Sequence, residues 1–229
     1  MKPDGLQSIE KACSANGALM SVYIPEHFAA RDRATIARLV HDFPFATLIT
    51  PGLAEPYVTH LPLLHVADCE PHGTLVGHFA RANPHAQSAA IAESMAIFHG
   101  PHAYVTPSWY ADPAGAVPTW NYAVVHVHGA IELARDAAAT RAVLDLMIQR
   151  FESPRAKPWQ LGLDPRRLQA MVGAIVGFRI RVKRIDAKLK LSQNRSPDDR
   201  RQVAEGLESE GYAEATATAA WMRAAMEPR

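Results

Sequence analysis

Hydrophobic and polar positions change their period several times along this chain, and each change marks an element. From Ala30 to Asp42 the apolar residues Ile36, Leu39 and Val40, with Phe43 just beyond, recur at helical spacing, and Pro44 ends the run. Short segments rich in β-branched and aromatic residues follow: Phe45–Thr50, Tyr57–Val66, Thr74–Phe79, Met95–His99, Ala103–Thr106 and Trp120–Leu133. Pro51-Gly52, Pro71-His72-Gly73 and Gly100-Pro101 punctuate them as turns. That spacing predicts a barrel or sandwich rather than alternating parallel units. One short helix fits inside it, Pro84–Ala92, with Asn83 as its cap.

Helical periodicity returns at Asp136, a natural N-cap, with Val143, Leu144, Met147, Ile148 and Phe151 at core spacing. Ser153–Gly162 reads as a loop, and Asp164-Pro165 opens a helix that reaches Met171. Gly173–Lys183 has the pattern of another strand. Ser196-Pro197-Asp198-Asp199 starts a helix that ends at Gly206 or Gly211, and an Ala-rich segment, Glu214–Met226, closes the chain. No internal repeat is visible. The expected class is mainly β or α+β, a β-barrel with peripheral helices. Residues 1–19 read as a flexible extension, 20–211 as the barrel domain, and 212–229 as a helical tail.

Composition narrows the function classes. The 229 residues suffice for one well-cored domain, and 48% hydrophobic with 21% charged residues is ordinary for a globular chain. The 24 basic and 23 acidic residues leave a net charge of +1, without the basic excess of a protein that lives on nucleic acid. Cys13 and Cys69 lack any motif, so no disulfide is expected and a reducing compartment is the default. No apolar run approaches the roughly 18 residues of a membrane span. Glu10, Lys11, Ser14 and Asn16 interrupt any signal-peptide core. The expected location is the cytoplasm, with no membrane partner.

Candidate chemistry concentrates between His99 and His128. That block holds His99, His102, His126 and His128, together with Trp109, Trp120, Tyr104, Tyr110 and Tyr122, and only one charged side chain, Asp112. Aromatic rings flanked by hydrogen-bonding groups suit a pocket for a planar molecule, while cross-strand aromatic pairing in a β core reads equally well. Alternation places His126 and His128 on one strand face with Val124. No carboxylate other than Asp112 lies close in sequence, so hydrogen-bonded histidines are expected and no metal. Ser108 and Ser192 lie in no nucleophile elbow, and the acidic neighbours of Cys69 blunt its reactivity. Glycine-rich nucleotide loops are missing. Gly77–Pro84 instead ends a strand with Arg81 and Asn83 at a strand-to-helix turn, where a planar donor fork and helix amides suit an anion. A second donor cluster, Lys188–Arg195, alternates Lys188, Lys190 and Ser192 against Leu189 and Leu191. Nine of the 24 basic residues fall between 179 and 201.

Six motifs then combine in order: YIPEHF (Tyr23–Phe28), HLPLL (His60–Leu64), GHFARANPH (Gly77–His85), IFHGPHAYVTPSWY (Ile97–Tyr110), VPTWNYAVVHVHG (Val117–Gly129) and KLSQNR (Lys190–Arg195). From Met20 to Gly211 the chain resembles the PaiB-type FMN-binding negative transcriptional regulators. The resemblance implies an FMN-binding split β-barrel related to pyridoxamine phosphate oxidase, with a homodimer holding FMN in clefts at the subunit interface. It implies a repressor role, described for bacterial members at sporulation and protease-synthesis genes, with DNA or a regulatory partner as the macromolecular contact. By the same resemblance Arg81 and Asn83 hold the phosphate, oriented by His78, and Trp120 and Asn121 edge the isoalloxazine or ribityl chain. Lys190, Ser192 and Gln193 complete the rim, and His60 sits where its ring meets the flavin. No helix-turn-helix pattern is present, so the 179–201 cluster is the candidate DNA surface. An FMN-dependent oxidoreductase and a binder of another planar ligand such as haem stand as alternatives.

Overall fold

The computed structural model describes residues 22–68, 70–88 and 92–226. The readings of residues 1–19, Cys13 and Cys69 fall outside these. Seven antiparallel strands form one sheet: β1 (Phe45–Thr50), β2 (Tyr57–Pro62), β3 (Leu64–Val66), β4 (Thr74–Ala80), β5 (Ser94–Val105), β6 (Thr119–Leu133) and β7 (Ile175–Lys190). Their order is β2-β1-β5-β6-β7-β4-β3. The two edge strands, β2 and β3, are therefore neighbours in sequence, joined through Leu63 alone. The chain itself closes the sheet into a split β-barrel of mainly β, α+β class.

The closure explains why the expected strand Tyr57–Val66 is two strands. Pro62 has no N–H to give a ladder, and the Leu63 N–H donates instead to the Pro44 carbonyl at 2.9 Å. The Leu63 side chain is fully buried. Glycine at position 77 of β4 makes room for it, since a Cβ there would stand 2.7 Å from Leu63 Cδ2.

Gly100-Pro101 departs from expectation in the opposite sense. The two predicted strands around it form a single β5, and the pairing moves from His99↔Val124 to His102↔Tyr122. Two residues of β5 oppose one of β6, so the dipeptide is a bulge and not a turn. β7 runs on from the predicted strand to include Lys188 and Lys190. Its first part pairs with β4 and most of its length with β6. The free edge of its second part is covered by a strap, in which the Ala30 N–H donates to the Ala187 carbonyl at 3.0 Å and Ala29 bridges to Lys188. A 3-10 turn at Glu26–Phe28 buries Phe28 beside it.

Side-chain caps set the helix starts. Asp32 accepts from the Thr35 N–H at 2.9 Å, so α1 spans Arg33–Asp42 and leaves Ala29 and Ala30 to the strap. Asp136, Asp164 and Ser196 cap α3 (Ala137–Glu152), α4 (Pro165–Gly173) and α5 (Pro197–Ser209) in the same way. α2 is one turn, His85–Ser88, shorter than the Pro84–Ala92 reading, of which residues 89–91 are not described. α5 continues through Gly206, against which the Trp109 indole packs so closely that a Cβ would lie 2.4 Å from the ring. α6 (Ala213–Ala224) covers the segment read as a tail, and its Ala215, Ala219 and Met222 are buried in the main core. Among the described residues no helix is long and apolar enough to cross a membrane.

Inward-facing Leu48, Phe98, Val125, Phe79, Phe178, Ile180 and Leu189 fill the barrel, and Leu39 of α1 and Leu207 of α5 join the same core. α3 covers β4 and the start of β7, where Thr140 Oγ1 accepts from the Gly177 N–H at 3.2 Å and Met147 packs with Leu64 and Val76. Beneath β1 lies a buried polar ladder. His85 Nε2 meets Thr50 Oγ1 at 2.7 Å, His85 Nδ1 meets Thr59 Oγ1 at 2.8 Å, and Thr50 Oγ1 meets Ser94 Oγ at 2.6 Å.

Leu63→Ala removes the side chain that fills the closure, and a loss of about 2–5 kcal/mol is expected for a fully buried leucine, measured by urea unfolding. A loss under 1 kcal/mol would show that the bend does not depend on that side chain. Burial holds the His85 and His78 imidazoles below their usual pKa. Protons then bind the unfolded chain first, so stability is fully present above about pH 6.5 and falls as pH drops toward the lowered folded values. Urea midpoints at pH 7.5 and pH 5.5 check this, and an equal or higher midpoint at pH 5.5 would refute it.

Candidate functional site

Strand alternation turns half of each strand outward, and over β2, β1, β5 and β6 much of that outer face stays open. Phe45 is 63%, Val58 50%, Trp120 52% and Tyr104 44% exposed. Ile49, Met95, Ile97, Tyr122 and Val124 lie half-buried between them. Register aligns this face in rows, with His99 beside Val124 beside Lys188, and His102 beside Tyr122 beside Lys190. Two strand spacings, about 10 Å, separate the histidines from the lysines.

At the lysine end, cations meet aromatic rings instead of carboxylates. Lys188 Nζ lies 5.4 Å from the Tyr122 ring and 5.4 Å from the Tyr23 ring, and donates to the Tyr23 carbonyl at 2.9 Å. Lys190 Nζ donates to the Thr119 hydroxyl and to the Trp120 carbonyl, with the Phe28 ring 6.0 Å away. Burial lowers the Lys190 pKa, and the nearby charges of Lys188 and Arg195 lower it further. The Arg195 guanidinium stands 4.6 Å over the Tyr110 ring. Among the described residues, none of these three cations has a carboxylate ion pair. The other cations of the 179–201 cluster differ, except Arg200, which donates to the Ala225 carbonyl at 3.2 Å. Arg179 and Arg181 share Glu132, Lys183 holds Glu93, Arg184 holds Asp186, and Arg201 holds Asp198.

A cavity of about 140 Å³ opens among Phe28, Tyr110, Thr119, Asn121, Lys190, Ser192 and Arg195. Asn121 faces inward and its Nδ2 donates to Ser192 Oγ at 2.9 Å and toward Met222 Sδ at 3.3 Å. Ser192 occupies the left-handed region, φ 64°, where the chain turns out of β7. Gln193 pins that turn, accepting from the Leu191 N–H at 2.7 Å and donating to the Leu189 carbonyl at 2.6 Å. Its side chain shapes the rim through the backbone.

The opposite end holds imidazoles. His60 Nδ1 lies 3.1 Å and His99 Nε2 3.3 Å from the one Thr47 hydroxyl, and His102 Nδ1 is 4.0 Å from Glu214. Burial lowers the His99 pKa, assisted by His102 and His60. In mid-face His128 Nε2 meets Asp186 Oδ2 at 3.0 Å, and Arg184 bonds both. His126 Nδ1 is buried without a hydrogen-bond partner among the described residues. No group of three His, Cys, Asp or Glu among the described residues is arranged to hold a metal.

His60, Trp120, Asn121, Lys190, Ser192 and Gln193 thus lie along or under this strip, while His78, Arg81 and Asn83 do not. His78 is beneath α3, 3.2 Å from Met147 Sδ. Arg81 Nε donates to the Gly173 carbonyl at 2.6 Å and Nη2 to the Ile175 carbonyl at 2.7 Å, which ties α4 to β7. Asn83 Oδ1 accepts from the His85 N–H at 3.0 Å, and its Nδ2 donates to Thr59 Oγ1 at 3.1 Å. With a one-turn helix behind it, this strand-to-helix turn spends its donors on the protein's own backbone and side chains. The residue set implied by the resemblance omits Thr47, His99, His102, Tyr122, Lys188 and Arg195, although all but Thr47 fall in the His99–His128 block or the Lys188–Arg195 cluster. The pairing that aligns them does not appear in any one segment, and the bulge between His99 and His102 breaks the alternation along β5.

Comparison with known proteins agrees with this architecture. A family model described as "Putative FMN-binding domain" matches residues 22–184. Protease synthase and sporulation protein PAI 2 of Bacillus subtilis is 38% identical over 193 residues, 82% of this chain and 90% of the relative. The FAD- and haem-binding protein of Mycobacterium smegmatis superposes with a TM-score of 0.56 at 19% identity, over 78% of this chain and 80% of that one. The flavocytochrome Anf3 of Azotobacter vinelandii does so with a TM-score of 0.55 at 13% identity, over 73% and 72%. These two structures share the fold. With the family model spanning most of its length and a relative this similar, the chain belongs to the PaiB-type family of FMN-binding-domain proteins.

Proposed function

We propose that this protein binds FMN along the outer-face strip, with the phosphate at the Lys188–Lys190–Arg195 end and the flat ring over Tyr122 and Trp120. The observation that carries this reading is a set of cations that, among the described residues, have aromatic rings and no carboxylates beside them, in a stretch where most other cations are paired. A phosphate monoester brings nearly two negative charges, and a planar heterocycle stacks on aromatic faces, so the donor set fits the group. The 140 Å³ cavity is smaller than the roughly 300–1,000 Å³ of whole-ligand pockets. It suits the phosphate end, with the ring outside on the open sheet. When bound, FMN supplies one- and two-electron redox chemistry.

A ring on that open sheet needs a cover, and we propose a second copy of the chain. Exposed Phe45, Val58, Tyr104 and Trp120 form the apolar part of such a contact. A regulatory role in the cytoplasm, in keeping with the name of PAI 2, fits a flavin state read by a partner. Direct DNA contact is less supported, because Arg179 and Arg181 share Glu132, Lys183 holds Glu93 and Arg201 holds Asp198, which offsets most of their charge. The histidine end of the strip supports an FMN-dependent oxidoreductase as the second reading.

Lys190→Ala should weaken FMN binding by about 1.5–3 kcal/mol, roughly 10- to 150-fold, while Arg81→Ala changes affinity less than about threefold. Quenching of flavin fluorescence on titration measures both, and the reverse ranking would move the phosphate to the Arg81 turn. Light scattering should give twice the 25.0 kDa chain mass for the parent and a monomer for Trp120→Glu. A parent that stays monomeric at micromolar concentration removes the proposed cover.

A further inference from the structure

Beyond the flavin set, the histidine end of the strip opens into a cleft of about 550 Å³. Thr47, His60 and His99 line it, Phe43 and Phe45 add apolar surface, and Glu214 stands at its edge. Thr47 and His60 are direct cross-strand partners on β1 and β2, and His99 comes from β5 on the other side of β1. The Thr47 hydroxyl carries one proton and is shared by His60 Nδ1 and His99 Nε2. It can donate to one ring while accepting from the other. Both rings must then adopt the same tautomer. With His60 protonated on Nδ1, Thr47 donates to a bare His99 Nε2, and His99 carries its proton on Nδ1. With His99 protonated on Nε2, the chain of donors runs the other way.

We propose that this cleft binds a second, uncharged small molecule that exchanges a proton with the protein, and that His60, Thr47 and His99 are the relay that moves the proton. Among the described residues neither His60 Nε2 nor His99 Nδ1 makes a hydrogen bond, so each end of the relay is open. A solvent proton adds to His60 Nε2. The Nδ1 proton of His60 passes to Thr47 Oγ as the Thr47 proton passes to His99 Nε2, and His99 releases its Nδ1 proton into the cleft. One proton enters and one leaves, and both rings change tautomer together. Run backwards, the relay removes a proton from the ligand. Among the described residues no lysine or arginine lines the cleft, and the carboxylates of Asp42 and Glu214 border it, so an anion is disfavoured. Asp42 is paired with Arg38 and His41, and Glu214 faces His102. The inference rests on the flavin reading only for what lies beside the cleft.

The test uses the full chain, labelled with ¹⁵N on its histidines and free of flavin, with the ring tautomers read by NMR. His60 and His99 should report one shared tautomer, and Thr47→Val, close in shape, should abolish that agreement. Nicotinamide should shift both ring signals saturably at concentrations where its anionic isostere nicotinate leaves them in place. Opposite tautomers in the parent, a Thr47→Val variant indistinguishable from it, no response to nicotinamide, or equal binding of nicotinate would each overturn the proposal. FMN added afterwards separates the two readings. Failure of FMN to bind would sink the flavin assignment while shared tautomers still uphold the relay, and bound FMN that leaves His99 unmoved would remove the relay from the flavin's vicinity.

Discussion

The bend at Pro62-Leu63 is the constraint on which the rest of this structure depends. Two strands three residues or more in length, at opposite edges of one sheet, are joined by a single residue. The sheet therefore has to curl until its edges meet. Closure removes the exposed edges that an open sheet would leave for aggregation, and it divides every strand into an inner and an outer row. Leu63 can hold that position because it is fully buried, its N–H is satisfied by Pro44, and Gly77 yields the space opposite. A larger residue at 77 or a polar one at 63 would force the two edges apart.

The division into rows decides what each histidine and lysine can do. Inside, burial lowers the His85 pKa and hydroxyl partners hold both of its nitrogens, and Asn121 ties Ser192 to Met222 of α6. Outside, the bulge at Gly100-Pro101 is what lets His99 and His102 both face outward although they are three residues apart. A regular strand would send one of them into the core. The bulge thus builds the imidazole end of the strip, and the extension of β7 into Lys188 and Lys190 builds the cationic end.

Electrostatics sorts the basic stretch 179–201 into two environments. Where Glu132 of β6, Glu93 ahead of β5 and Asp186 of β7 itself meet these cations, the acids offset much of the positive charge, and the exposed pairs among them add little stability. Where β6 offers Tyr122 and Trp120 instead of acids, the cations stay available to an anion. Burial of Lys190 lowers its pKa, yet an amine with so high an ordinary value keeps its charge near neutral pH. An incoming phosphate would reverse part of that lowering.

The sequence by itself determined the local features. Helix starts at Asp136, Asp164 and Ser196 follow from side chains that cap backbone N–H groups two or three residues away, and the strands follow from a two-residue alternation within each segment. The family, and with it the split barrel, was also legible, because its motifs stand in order along the chain. Tertiary structure alone decided which strands became one and which became two, since a Gly-Pro pair is a turn or a bulge according to the strand beside it. It also decided which candidate side chains share one face. Arg81 looks free in sequence, but the carbonyls that occupy it, Gly173 and Ile175, lie more than ninety residues onward. Thr47, His99, Tyr122 and Lys188 look unrelated until the β1-β5-β6-β7 register places them in neighbouring rows. Capping and alternation act over a few residues of one chain segment, whereas register is a property of pairs of segments, and only folding brings those pairs together.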